Sequence, residues 1–157
     1  MSQAPDSSDI EAAVIATLLA DAGPGGLRTL LPDGVFMDEA GASMVDGAAA
    51  TRFVIVSLID EHDETAFGGT AFEDALYLVE ARALSKINGA QLPPLTIKAA
   101  AARIQALLHE QPLAIPGYRL MLMARESRVR RTEIDDADPS IRWFRRGGRY
   151  RIIASPQ

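Results

Sequence analysis

The stretch Tyr118–Ile153 reads YRLMLMARESRVRRTEIDDADPSIRWFRRGGRYRII, and its pattern decides the fold of this chain. Runs of apolar, aromatic and arginine residues, separated by turn residues, predict three strands at 118–124, 127–134 and 141–154. The acidic segment 135–139 predicts the turn between the last two strands. Gly147 and Gly148 lie inside the final run, where they predict either a bulge or a tight reversal.

Upstream of this stretch, the sequence predicts two helices and two strands. A capping box at Ser8–Glu11 begins the first helix, which the glycine-rich turn at 23–26 ends. The second helix follows Pro93-Pro94, has Thr96 as its predicted N-cap and ends at Gln111-Pro112. Residues 34–36 predict a short edge strand, and 53–59 predict a long apolar strand followed by an acidic loop.

Residues 71–84 suit either a helix or a strand. Phe72, Leu76, Val79 and Ala83 repeat at helical spacing, whereas the run 76–79 is typical of a strand. We favour a strand paired with 53–59. The expected fold is therefore α+β, with a largely antiparallel sheet of about four to five strands and two main helices on one face. We expect a single domain over residues 1–157, with 1–8 flexible and 38–51 a mobile loop.

Charge divides the chain into two parts. Residues 1–116 hold six Lys and Arg against sixteen Asp and Glu, and residues 117–157 hold ten against five, so the net charges are −10 and +5 within a total of −5. Such asymmetry indicates contact with a charged partner or with a second copy of the chain.

Composition and motifs argue against an enzyme. The absence of cysteine excludes disulfides, Cys-ligated zinc and thiol nucleophiles. The acidic stretch 61–64 and the aspartates of 135–138 carry metal-capable side chains, but solvated loops explain both better than a metal site does. We predict no catalytic residue, no cofactor and no metal. The opening residues lack a secretory pattern and no apolar run reaches the ~20 residues of a membrane span, so we expect no membrane association.

The arginines of the last strands are the strongest candidates for a functional surface. Their planar guanidinium groups pair with carboxylates and stack on aromatic rings. Three readings remain open: a solvated face balanced by nearby acidic residues, a protein–protein interface, or a surface for single-stranded nucleic acid. The overall acidity of the chain disfavours nucleic acid.

The segments DALYLVEARAL, AAARIQALLH and RESRVRRTEIDDADPSIRWFRRGGRYRI resemble the tail-terminator, or tail-completion, proteins of long-tailed bacteriophages and phage-derived gene-transfer particles. The resemblance extends from the first helix to the last strand. It implies an α+β fold and a ring, typically of six subunits, that caps the tail tube, stops its polymerisation and offers a docking surface for the head. It also favours the strand at 71–84. Another neck or connector component of the same particle is an alternative that the resemblance leaves open.

The same resemblance implies the partners of the chain. These are further copies of itself, the tail tube protein and the head–tail connector protein, in a particle tail assembled in the host cytoplasm, with DNA passing through the lumen without specific binding. By their position, we expect one set of side chains to contact other subunits or the tube: Arg128, Arg130, Arg142, Trp143, Arg145, Arg146, Arg149 and Tyr150. We expect Glu61, Asp63 and Glu64 to form a loop facing the lumen or a partner.

Overall fold

The computed structural model describes residues 7–38, 44–45, 48–66 and 69–157. Within these ranges it has three helices: α1 (Ser7–Leu19), α2 (Leu27–Leu30) and α3 (Pro94–Leu108). The strands are β1 (Val35–Met37), β2 (Met44–Val45), β3 (Ala48–Ala49), β4 (Arg52–Ala66), β5 (Gly69–Leu84), β6 (Lys86–Ile87), β7 (Ala90–Gln91), β8 (Tyr118–Ile134) and β9 (Arg142–Pro156).

Five strands form the main sheet in the order β1-β4-β5-β9-β8. β1 runs parallel to β4, and every other neighbouring pair in this sheet is antiparallel. The pairs β2–β3 and β6–β7 form two small separate ladders. The predicted α+β class and the strand at 71–84 are confirmed, since that segment lies in β5 and pairs with β4 over its length.

Helices α1 and α3 supply the layer that covers one face of the sheet. Ile10, Val14 and Leu18 recur at intervals of four residues on α1 and are fully buried, as is Ile104 of α3. They pack into one cluster with side chains of β4, β5 and β9, including Val79. Each fully buried aliphatic side chain contributes roughly 1.5–3 kcal/mol, so this layer holds the helices against the sheet.

A polar contact fixes the end of α1 against α3. Asp21 accepts hydrogen bonds from Nε and Nη2 of Arg103 at 2.6 Å each, and from the backbone N–H of Leu27 at 2.7 Å. The hydrogen bond from Arg103 is the main reason that the pKa of Asp21 is lowered. The glycine-rich turn after α1 is therefore tied to α3 through Arg103 and to the start of α2 through Leu27.

The other face of the sheet carries a smaller aromatic cluster. The ring of Phe53 makes edge-to-face contacts with Phe36 and Trp143, at centroid separations of 5.9 and 5.7 Å. Ala50 and Ile55 complete its buried part. This cluster joins β1, β4 and β9 on the face that the helices leave open.

β5 and β9 approach each other closely at Gly147. A Cβ atom at this position would overlap the carbonyl oxygen of Val79 and lie 2.6 Å from the Cα of Glu80. Position 148 also has no room for a side chain, because a Cβ there would lie 2.7 Å from Cδ and 2.9 Å from Cγ of Arg125. The two glycines thus allow close packing within a continuous ladder, and the bulge or reversal predicted there is wrong.

The structure corrects three further boundaries. The strands predicted at 118–124 and 127–134 are one strand, β8, with irregular pairing between Arg125 and Ser127. The acidic loop predicted at 61–64 belongs to β4, because β5 offers backbone partners along this whole stretch. α3 begins at Pro94 rather than after Thr96.

The predicted flexible segment 1–8 and mobile loop 38–51 fall largely outside the described residues. Residues 1–6, 39–43 and 46–47 are not described, and within the remainder β2 and β3 form a short ladder. No helix within the described ranges has both the length and the apolar character that crossing a membrane requires.

Candidate interaction surface

The arginines of β8 and β9 divide into a set that pairs inside the fold and a set that does not. Arg145 and Arg151 belong to the first set, on the sheet face opposite the helices. Arg128, Arg130 and Arg146 belong to the second, on the face that α3 covers in part. The two sets carry different roles, although the sequence shows them as one basic segment.

Arg145 neutralises a buried carboxylate. Glu80 is fully buried in β5, and its Oε1 accepts hydrogen bonds from Arg145 Nε and Nη2 at 3.0 and 2.6 Å and from Arg82 Nε at 2.7 Å. Arg145 Nη1 also donates to Glu133 at 2.6 Å. Burial lowers the pKa of Arg145, but the hydrogen bonds and charges of Glu80 and Glu133 outweigh it and raise the pKa overall.

Arg151 forms a second internal bridge on the same face. It donates to Asp74 Oδ1 at 2.6 Å and to Glu126, linking the strands on either side of β9. The hydrogen bonds that it donates to Glu126 and Asp74 raise its pKa. Arg142 instead donates to the carbonyl oxygen of Pro139 in the β8–β9 turn.

Two predicted contact residues lie within the fold. Tyr150 is only 1% exposed and packs in the main core, so it presents no surface to a partner and its assignment as an interface residue is wrong. Burial raises its pKa to about 12. Trp143 packs on Phe53, and its indole N–H donates to Asp135 Oδ1 at 2.8 Å.

The unpaired cations meet in a groove between α3 and the β8–β9 ladder. This basic groove has a volume of about 380 Å³ and is lined by ten residues, none of them acidic. Its polar side chains are those of Lys98, Gln105, Arg125, Arg128, Arg130 and Arg146. Arg125 donates to Gln105 at 2.7 Å, whereas the other four cations make no ion pair or side-chain hydrogen bond with any described residue.

Register explains why the groove is so positive. Arg130 pairs with Arg146 across the β8–β9 ladder, and Arg128 lies two residues from Arg130, so all three point to the same face. Lys98 reaches them from α3. Like charges at this spacing repel, and the arrangement therefore favours an anionic partner in the groove. Arg149 is exposed on the opposite face and does not join them.

Two of the three predicted acidic residues lie on the face that carries the basic groove, at its far end. Glu61 and Asp63 of β4 are on the face of Glu73 in β5, and the carboxylate oxygens of these three residues lie within 4.8 Å of one another. We call these three residues the acidic cluster. Burial and the charges of Asp38 and Glu61 raise the pKa of the nearby Glu11. Glu64 is exposed and points to the opposite face.

The aspartates of the β8–β9 turn form hydrogen bonds to the turn backbone. Asp135 Oδ2 accepts from the backbone N–H of Asp138 at 3.0 Å, and Asp138 Oδ1 accepts from the N–H and hydroxyl of Ser140 at 2.9 and 2.7 Å. The bonds to Ser140 lower the pKa of Asp138. These aspartates therefore stabilise the turn, as residues of this type commonly do.

Only part of the basic groove is apparent in the sequence. Lys98 reads as an ordinary solvated residue of a helix, and Arg125 lies apart from the basic cluster near the C-terminus. The alternation of Arg128 and Arg130 was the available signal, since residues two apart on a strand share a face. The contribution of α3 depends on how it packs across the sheet.

Comparison with known proteins finds similarity at the level of the fold. A scan against protein-family models finds no match, and a search of curated proteins finds none either. Among solved structures, the fold is similar to that of a chain in a structure described as "Virion of native gene transfer agent (GTA) particle", with a TM-score of 0.57 and 22% sequence identity. The similarity covers 94% of this chain and 96% of that chain, so the two share a fold over nearly their whole lengths.

Proposed function

We propose that this chain is a structural protein of a phage-like particle and acts as its tail terminator. The observation that carries the proposal is the similarity in fold, over nearly the full length of both chains, to a chain of a gene transfer agent virion. Six copies form a ring that caps the tail tube, stops its polymerisation and presents a docking surface to the head connector. In this role the chain needs no catalytic residue or cofactor, and DNA passes through the ring.

The charge distribution supports head-to-tail assembly. The basic groove and the acidic cluster occupy one face of the sheet but opposite ends of its strands, since Arg146 pairs with Ala81 and Glu73 pairs with Ala154. Positions 146 and 154 are separated by ~26 Å at the usual rise of a strand. Subunits with a positive and a negative end can bind one another head to tail. Such contacts close into a ring when the rotation between neighbouring subunits permits it.

The groove is our proposed contact site, for a neighbouring subunit or for the tube. Its four unpaired cations lie beside a wall of small residues, Ala101, Ala102 and Gly147, which lets a partner approach closely. Arg145, by contrast, is committed to Glu80 and Glu133 within the chain. We therefore assign contact to Arg128, Arg130 and Arg146, and internal stabilisation to Arg145.

The double variant Arg128→Glu, Arg130→Glu tests this assignment. We expect the wild-type protein to approach the mass of six subunits as concentration rises, and to shorten tubes grown from the tail tube protein. The variant should remain a monomer and leave tube length unrestricted, because it reverses charge in the groove. Light scattering and electron microscopy measure the two outcomes.

The matched control is Arg131→Glu with Arg149→Glu. Both arginines are exposed on the opposite sheet face, and the charge change is the same. Assembly should survive in this control. Equal assembly in both variants would remove the groove from the contact, whereas tubes that grow unchecked beside the wild-type protein would contradict the terminator role itself.

Binding of single-stranded nucleic acid is the second candidate function, and the same four unpaired cations favour it. Phosphate contacts would make affinity fall steeply with salt, at a slope of roughly −0.7 per phosphate for single strands. Titration of a labelled oligonucleotide at several salt concentrations separates the candidates. A binding constant without this slope, or no binding at low salt, excludes the nucleic-acid function.

A further inference from the structure

The acidic cluster has the geometry of a cation site. Asp63 and Glu73 are register partners across β4 and β5, and Glu61 lies two residues from Asp63 on the same face. Glu61 and Asp63 form no ion pair with a lysine, arginine or histidine among the described residues. Three carboxylates thus converge where Coulomb repulsion opposes their approach.

The spacing of their oxygen atoms suits calcium. One oxygen from each carboxylate lies within 4.8 Å of the others. Ligand oxygens bind Ca²⁺ at about 2.3–2.6 Å, so two ligands on opposite sides of one ion are separated by roughly 4.6–5.2 Å. Ca²⁺ also accepts irregular geometry, whereas Mg²⁺ demands a near-ideal octahedron with shorter distances.

A buried tyrosine hydroxyl beside the cluster gives an independent indication of a ligand. Tyr77 is 1% exposed, and its hydroxyl is buried without a hydrogen-bond partner. It lies on the same face of β5 as Glu73, with only the small Ala75 between them on that face. A buried hydroxyl without a partner costs about 1–3 kcal/mol, so such a group points to something that binds there.

Register places Tyr77 next to the acidic cluster, because Glu61 pairs with Ala75, which lies two residues from Tyr77 on the same face. The pKa of Tyr77 is raised first by burial and then by the charges of Glu11, Glu61 and Glu73. Two of these three carboxylates belong to the acidic cluster. The hydroxyl therefore lies in the field of the cluster, where it can bind a water molecule that also coordinates an ion.

Glu73 also has a hydrogen-bond partner outside the acidic cluster. The Tyr118 hydroxyl at the start of β8 donates to Glu73 Oε1 at 2.5 Å. Such outer partners orient a carboxylate ligand and commonly strengthen metal binding. The cluster therefore contains one oriented, buried carboxylate and two more accessible ones through which an ion can enter.

We propose that Glu61, Asp63 and Glu73 bind one Ca²⁺ ion, with water completing its coordination and the Tyr77 hydroxyl holding one of those waters. A site with three carboxylates and open access belongs to the weaker class of calcium sites, with a dissociation constant on the order of 0.1–1 mM. All three ligands come from one chain, so ion binding can be measured without ring formation.

Terbium luminescence and calorimetry test the site on the full chain. Tb³⁺ replaces Ca²⁺ and emits when a nearby tyrosine is excited, and Tyr77 and Tyr118 lie beside the cluster. We expect saturable emission at one ion per chain, displaced by Ca²⁺. Glu61→Gln with Asp63→Asn should weaken Ca²⁺ binding by tenfold or more, and Tyr77→Phe by about tenfold as for other outer partners.

The control is Asp60→Asn with Glu64→Gln, which removes the same charge from the other face of the same strand. This control should change the dissociation constant by less than about twofold, and circular dichroism should show all variants folded, since the altered β4 residues are largely exposed. Equal weakening in control and site variant would mean diffuse counter-ion attraction and would overturn the site. So would the absence of saturation by ~10 mM Ca²⁺, about tenfold above the weakest constant expected.

Discussion

Replacing Arg145 by methionine is the sharpest test of the internal ion network. The change keeps much of the apolar stem but removes the guanidinium that bonds Glu80 at 2.6 and 3.0 Å. Glu80 is fully buried and then has Arg82 as its sole cation among the described residues. The buried carboxylate of Glu80 then has one cationic partner instead of two.

The structure sets the expected magnitude. Removing one partner from a buried pair costs about 3–5 kcal/mol. Because Arg82 remains, we expect the lower end, about 3 kcal/mol, which corresponds to a fall in melting temperature of roughly 6–12 °C for a chain of this size. The contact with the exposed carboxylate of Glu133 adds little, as surface pairs do.

Urea unfolding followed by circular dichroism measures this loss, and Arg131→Met is the matched control. Arg131 lies directly opposite Arg145 in the β8–β9 register, but it is exposed and forms no ion pair within the described residues. The free energy of unfolding of this control should stay within about 0.5 kcal/mol of the wild-type value.

A double-mutant cycle decides whether the loss comes from Glu80. In a Glu80→Leu background, Arg145→Met should cost much less than it does alone, because no buried carboxylate is left behind. If Arg145→Met and Arg131→Met lose the same small amount, or if the cycle shows no coupling, the buried pair does not stabilise the chain and the reasoning is refuted.

Two further predictions concern the sheet and the helix layer. Gly147→Ala should lower the free energy of unfolding by at least about 2 kcal/mol, roughly the cost of overpacking, because its Cβ would overlap the backbone of Val79. Gly23→Ala, with open space around the new Cβ, should change the free energy of unfolding little in the same urea assay. Arg103→Leu should lower stability at neutral pH, but less and less as pH falls. The pKa of Asp21 is lowered from 3.8 in the folded chain, so its stabilisation is present above that value and is lost on acidification; a constant difference between pH 7 and pH 2 would contradict this.

The sequence predicted the architecture because its signals are local. Capping residues, helical spacing and apolar runs identify α1, α3, β4 and β9 without knowledge of the rest of the chain. The limits of β4 were harder, since its charged end at 61–64 resembles a loop. That segment is a strand because β5 supplies its backbone hydrogen-bond partners. Local composition does not predict pairing with a distant segment of the chain.

The interaction surface was predictable only in part, for a similar reason. Arg128 and Arg130 share a face by simple alternation, and a turn centred near Asp138 brings Arg146 opposite Arg130. The separate role of Arg145 depends on the register between β5 and β9, which join segments more than sixty positions apart. Basic residues of one segment therefore look equivalent until a distant strand supplies the carboxylate that distinguishes them.

The position of β8 at one end of the sheet has a consequence for solubility. Among the described residues, its outer side has no neighbouring strand in the sheet along its 17 residues, ~56 Å. Part of this edge is covered, because Met123 O accepts from the N–H of Glu110 and the N–H of Arg125 donates to His109. The uncovered part is a template for non-specific strand addition. Natural sheets protect such edges with charged side chains and irregular pairing, and β8 has both, with five arginines and two register shifts. The arginines that suit this strand to contact with a specific partner thus also protect the chain from non-specific aggregation.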